Sequence, residues 1–373
     1  MITHSSYRFH HARYGWKGVA AVFASGFASV LLSASGQDST FGLSTEMVHS
    51  SDISLVDSEV FGRWRDTQRE FTLLAGAAQI DLDYQPASVD ILGVDKERFA
   101  TKQSCQIIWR EGLDHPLQWT LSGGGYQGFT DYRSLWLDEY YHQLFSPVPG
   151  YQTADCGGIH AAIGGRYEYL ESSGMINWSV AWLQDEVSPA YEKLPFKPLI
   201  RGESILETWR FGLGSEHVLT PRIRFKQDAS ATQSTDRAWR YAYAAESAWA
   251  MTEHWTARLR VEGTKEADFH AGLAALLIER DWDARWFAGI GVRVYRDNGQ
   301  IIDPLLISGS APALDSYQLQ LSLRYAGPHA TWRVGLGPYL TRYAETPPGG
   351  TRFSQLYRDR NWFALQAAWT WKL

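Results

Sequence analysis

The sequence predicts an all-β chain, a transmembrane antiparallel up-and-down β-barrel of about 16 strands with one short helix in an outer loop. Three observations predict it: segments in which apolar and polar residues alternate strictly, aromatic residues at the ends of those segments, and connections that alternate between long and short. Of the 373 residues, 45% are hydrophobic and 14% aromatic, with Trp 17, Tyr 19 and Phe 16. That is too hydrophobic for disorder, while the mean hydropathy of −0.30 is too low for a helical membrane protein. Four Met and two Cys argue against a Met-rich binding surface, a disulfide scaffold and a multi-Cys metal site. A formal charge of −6 argues against nucleic acid as a partner bound through a net positive field.

Residues 1–17 carry Arg8, Arg13 and Lys17 and no acid. An apolar stretch from Gly18 to Leu32 follows, then Ser33, Ala34, Ser35 and Gly36. A basic segment, a short apolar segment and small residues together read as a secretory signal peptide over 1–36, cut before Gln37. The alternative is an uncleaved membrane anchor. Cleavage removes three basic residues and leaves 32 against 41 acids, a mature charge of −9. No later run reaches about 18 apolar residues without a charge, so no helix after the signal is expected to span a membrane.

The clearest strand is Tyr317 to Tyr325. Tyr317, Leu319, Leu321, Leu323 and Tyr325 fall on one face and Gln318, Gln320, Ser322 and Arg324 on the other. Successive side chains leave a strand on opposite faces, so alternation over nine residues signals a strand. A Tyr at each end of an aliphatic band suits an outer face in lipid, with a ring at each interface. The pattern recurs at Trp332–Leu340, Trp286–Val294 and Trp255–Val261, and Ile223 and Phe225 sit between Arg222, Arg224 and Lys226. A soluble secreted β-protein also alternates, but the exposed rings of Trp332, Trp369 and Trp371 weigh against it.

The chain ends with Phe363, Leu365, Ala367, Trp369, Trp371 and Leu373 on one face. Here the sequence resembles Gram-negative outer-membrane β-barrel proteins of the porin-like kind, whose last strand carries alternating hydrophobic and aromatic residues. In them the final residue is usually Phe, where this chain has Leu373. The resemblance implies that Phe363, Leu365, Trp369, Trp371 and Leu373 form the signal read by the barrel-assembly machinery. It also implies residence in the outer membrane of a Gram-negative bacterium, with membrane lipid as a partner.

In such barrels periplasmic turns are short and outer loops long. Walking back from Leu373, the connections read long (345–360), short (327–330), long (297–315), short (280–283), medium (263–266), short (250–252), long (228–236) and short (214–215). Further strands are expected near 203–213, 174–186, 156–169, 116–128, 101–111, 69–84, 57–66 and 40–49, giving about 16, with 14 the alternative if the first two fail. Both chain ends then lie in the periplasm, and 37–373 forms one barrel domain.

The period-two phase assigns Arg210, Arg222, Arg224, Lys226, Arg240, Arg258, Arg260, Arg285, Arg293, Arg324 and Arg333 to the lumen, with Glu246 and Glu262 as the chief acids of that half. A one-signed wall in a narrow water-filled tube concentrates anions. Alternatively, these cations pair with carboxylates from the other half or from loops. In the segment 131–145, Leu137, Tyr140, Tyr141, Leu144 and Phe145 recur at helical spacing before Pro147. In general porins a loop folds into the tube and presents carboxylates opposite an arginine ladder. Asp131, Asp138 and Glu139 match such a constriction by type, and a structural plug is the other reading. Cys105 and Cys156 are candidates for a disulfide in an oxidising compartment, or are two small buried residues.

No G-x-S-x-G, P-loop, dinucleotide fingerprint or metal-ligand spacing is present, so no catalytic residue, metal or cofactor is assigned. His142 and Asp138, with Ser134 nearby, are the one polar cluster a catalytic reading could use. The expected function is a pore for small hydrophilic solutes, anions among them. The alternatives are a barrel enzyme acting on lipid or surface polymer, and a plugged barrel serving structure or export.

Overall fold

The computed structural model describes residues 38–50, 53–82, 98–128, 156–187, 204–235, 238–299, 313–344 and 359–372. The expected signal peptide and the 131–145 helix lie outside these residues. The strands are β1 (Asp38–His49), β2 (Ile53–Arg65), β3 (Arg69–Leu82), β4 (Arg98–Glu111), β5 (Leu117–Gly128), β6 (Cys156–Leu170), β7 (Gly174–Val187) and β8 (Ser204–Thr220). They continue as β9 (Ile223–Ser234), β10 (Arg240–Ala250), β11 (Trp255–Glu266), β12 (Phe269–Asp281), β13 (Trp286–Asp297), β14 (Leu314–Ala326), β15 (Ala330–Tyr343) and β16 (Arg360–Lys372). Each pairs antiparallel with its neighbours in sequence, and β1 pairs with β16, so the sheet closes on itself. Closure removes both sheet edges, which is the condition for strands to cross a membrane with every backbone group paired.

The register carries one phase around the whole ring. Tyr317, Leu319 and Leu321 oppose Val294, Val292 and Ile290 on β13, and Leu321, Leu323 and Tyr325 oppose Leu336, Val334 and Trp332 on β15. This set points outward and is exposed, Leu321 to 54%. Rings border it at the end with the short turns, where the Trp286 ring centroid lies 5.0 Å from those of Tyr325 and Trp332, which are 6.0 Å from each other. Trp239, Tyr241 and Phe363 stand exposed towards the other end. An exposed aliphatic belt between two aromatic rims belongs in a bilayer.

The last strand follows the sequence reading. Phe363, Trp369 and Trp371 are exposed on the outward face of β16, and Leu365 shares their phase opposite Leu336. At the β1–β16 seam a Cβ on Gly42 would meet the Trp371 carbonyl and the Phe61 ring. Only a residue without a side chain lets the ends of the sheet approach there.

Three connections differ from the expectation. The turn expected at 214–215 lies at 221–222, because β8 runs on to Thr220. Gly214 is not a turn glycine: it faces the lumen inside the strand, where a Cβ would strike Asp228 and Asn177. The loop expected over 228–236 starts after Ser234, and β11 extends to Glu266, leaving a two-residue turn at 267–268.

The disulfide expectation is also corrected. Cys105 is a free thiol on β4. β5 lies between β4 and β6, where Cys156 sits, so the two backbones are about 10 Å apart against the ~7 Å limit for a disulfide.

Candidate functional site: the lumen wall

The inward phase contains Ser322 and Gln320 of β14, Arg258, Arg260 and Glu262 of β11, and Arg224, Lys226 and Asp228 of β9. Arg222 and Arg285 depart from the expectation: both lie in short turns at the barrel end, at 221–222 and 282–285, and not on the strands of the wall. Among the others, six have acidic partners from the same half of the barrel. Arg224 pairs with Glu216 and Arg260 with Glu262. Lys226 lies 3.0 Å from Asp228 and Arg240 donates to Glu266 at 2.6 Å. Glu279 bridges Arg258 at 3.2 Å and Arg324 at 3.6 Å, and Arg324 also lies over the Phe287 ring at 3.8 Å. Arg293 lies 6.0 Å from the centroid of the Tyr295 ring. Arg210 stands between Ala181 and Thr232, and Arg333 opposite Arg324.

The one-signed wall is therefore replaced by a paired one. Glu216, Asp228, Glu266 and Glu279 share the inward face with the cations, so the partners come from the same or a neighbouring strand and not from the other half. The cations keep contact with water all the same: the side chains of Arg224, Arg258 and Arg260 are 60%, 46% and 53% exposed.

The other side of the ring carries its own charges. Glu46 faces Asp57 across β1 and β2, with Glu59 opposite Ser44. Glu70 is held by Arg110 at 2.6 Å and Arg63 at 3.8 Å, and Lys102 lies over the Tyr126 ring at 4.8 Å. In the closed order β9 lies eight strands from β1, so the Glu46–Asp57–Glu59 group stands across the lumen from the Arg224–Lys226 and Arg258–Arg260 groups. Asp131, Asp138 and Glu139, the carboxylates expected opposite the arginines, lie outside the described residues. The wall itself supplies an acidic group at Glu46, Asp57 and Glu59.

The wall also changes along its length. Towards the long-loop end, from β12 through β16 to β2, inward residues are buried: Phe269, Tyr295, Leu314, Ser316, Tyr339, Thr341, Trp362, Val48 and Leu55. Tyr295 donates to Asp297 at 2.8 Å, and Asp297 in turn accepts from the Gly299 and Leu314 amides at 2.8 and 3.2 Å. This outer sector is packed like a protein core, while the inner sector is polar and wet.

No family model matches the sequence, and no curated protein matches it. Solved structures do match. CdiB from Acinetobacter baumannii superposes with a TM-score of 0.53 at 10% identity over 90% of this chain, which spans 60% of the length of CdiB. A bacterial polysaccharide outer membrane secretin matches at 0.48 and 10% identity, over 90% of this chain and 98% of that one. Pseudomonas putida OprB matches at 0.44 and 11% identity, over 94% and 96%. The likeness to CdiB establishes a shared fold. Together with the closed ring, the apolar exterior and the aromatic rims, it defines the class: the chain is a β-barrel protein of the outer membrane, built from 16 antiparallel strands.

Proposed function

We propose that the barrel is a pore for small hydrophilic solutes, with a mild preference for anions. One observation carries the reading: Arg224, Arg258 and Arg260 on the inner lumen wall stay about half exposed or more although each has an acidic partner within reach. A wall built only to be filled would bury such groups or replace them with apolar ones. Cations on β9 and β11 facing acids on β1 and β2 set up a field across the passage, which orients dipolar solutes and weakens selectivity by net sign. The buried sector from β12 to β2 narrows the outer mouth on that side, so conductance is modest for a ring of this size. In this reading residues 1–36 direct export and the β16 face engages the assembly machinery. The test is single-channel conductance of residues 37–373 in a planar bilayer, with reversal potential under a salt gradient. A stable open level with a small anion-directed potential is expected. Insertion without any conductance refutes the pore and favours a plugged barrel.

A further inference from the structure

A chain of polar side chains runs across the outward face of β6, β8, β9 and β10, where most of the surface is apolar. Tyr243 donates to the Gln227 side-chain oxygen at 3.1 Å, and the Gln227 amide donates to Ser215 Oγ at 3.0 Å. Ser215 Oγ lies 3.1 Å from His217 Nε2, and His217 Nδ1 lies 2.6 Å from the Tyr169 hydroxyl. With the imidazole proton on Nδ1, each group passes one hydrogen bond to the next. Ser215 then gives its proton to Nε2, and Tyr169 accepts at Nδ1. A serine hydroxyl on Nε2 of a histidine whose Nδ1–H is held by an oxygen is the arrangement of a base-activated nucleophile.

The surroundings say what such a nucleophile meets. His217 lies opposite Gly174, the first residue of β7, and the Val218 amide bonds the Ser173 carbonyl of the short turn. The site is therefore at the short-turn rim, the depth of lipid headgroups and ester carbonyls. One pleat further into the bilayer lies an apolar hollow of about 730 Å3, lined by Phe211, Leu213, Ala229, Ala231, Tyr241 and Tyr243. Tyr243 belongs both to the hollow and to the polar chain, and Leu213 is the next outward residue after Ser215. Small residues on β9 between large ones on β8 and β10 form a trough running from Ser215 towards the membrane centre. An acyl chain lying in it brings its ester carbonyl to Ser215.

We propose that Ser215 and His217 form an acyl-ester hydrolysing site on the lipid-facing surface, with membrane glycerolipid as substrate. Ser215 Oγ bonds to the ester carbonyl carbon while its proton moves to His217 Nε2. The carbonyl carbon–oxygen bond of the ester breaks, and the departing glycerol oxygen takes that proton. Water from the headgroup region, deprotonated by His217, then releases the fatty acid and restores the serine. The Gln227 amide is the donor placed at Oγ to receive the developing negative oxygen, and Tyr169 is a positioning residue for the imidazole.

The experiment uses the whole barrel in phosphatidylethanolamine–phosphatidylglycerol vesicles, treated with a long-chain alkyl fluorophosphonate and followed by mass spectrometry. One adduct on Ser215 is expected, absent in Ser215→Ala and formed at least tenfold more slowly in His217→Asn. Tyr169→Phe lowers the maximal labelling rate at an unchanged half-saturating probe concentration. Fatty acid release from the same vesicles should cease in Ser215→Ala. No adduct on the folded wild-type barrel, an adduct surviving Ser215→Ala, or labelling without fatty acid release overturns the proposal. Heat-modifiable mobility verifies that each variant is folded, and conductance reports on the lumen independently.

Discussion

Replacing Glu279 by Gln keeps the shape of the side chain and removes one negative charge shared by two arginines. The side chain of Glu279 is 11% exposed, while those of Arg258 and Arg324 are 46% and 33% exposed. Breaking a fully buried pair costs about 3–5 kcal/mol, but water around these guanidinium groups screens the loss, so about 1–2 kcal/mol is expected. The effect on transport follows from Coulomb's law. About 8 Å from the uncompensated charge in water an anion gains and a cation loses about 0.5 kcal/mol, so the anion-to-cation permeability ratio rises about sixfold. At 0.15 M salt that separation is about one Debye length, and the rise falls to about twofold. Reversal potentials of wild type and Glu279→Gln, measured at low and high salt, check both numbers. An unchanged ratio, or a shift towards cations, refutes the placement of the Arg258–Glu279–Arg324 group on a conducting wall.

Two further outcomes follow from the seam and the turns. Gly42→Val forces a side chain against the Trp371 carbonyl and the Phe61 ring, costing about 3 kcal/mol or more, whereas Thr40→Val on the same inward face is tolerated. Loss of the compact band in heat-modifiability gels for Gly42→Val alone is the expected result. In the turn between β2 and β3, Asp66 accepts from the Gln68 and Arg69 amides at 2.8 and 2.7 Å, which holds its carboxyl below the usual carboxylate range. A lowered folded-state pKa stabilises the barrel above the unfolded value, and the contribution is lost as pH falls through the folded one. Asp66→Asn should therefore flatten the pH dependence of unfolding below about pH 4 and leave it unchanged near neutrality.

The sequence displays what a strand must show locally. Tyr317 to Tyr325 reads correctly because each residue's medium, lipid or water, is decided one position at a time, and β16 reads correctly for the same reason. What needs register does not show. Arg258 and Glu279 are brought together only by the pairing of β11 with β12, so an arginine ladder was visible and its neutralisation was not. Gly214 looked like a turn because the collision it avoids comes from Asp228 and Asn177 on the strands to either side. That misplaced turn also hid Ser215 in a connection. Tyr169 and His217 are 48 positions apart, and no spacing motif joins them.

Adjacent residues of one strand face opposite media, lipid on one side and a water-filled lumen on the other. Gln320→Cys and Leu321→Cys, each in a Cys105→Ala Cys156→Ala background and reconstituted in vesicles, test it directly. Position 320 should react rapidly with a membrane-impermeant maleimide. A fluorophore at position 321 should instead be quenched by brominated lipid and show little reaction from water. Equal labelling of both positions, or quenching at 320 rather than 321, would contradict it.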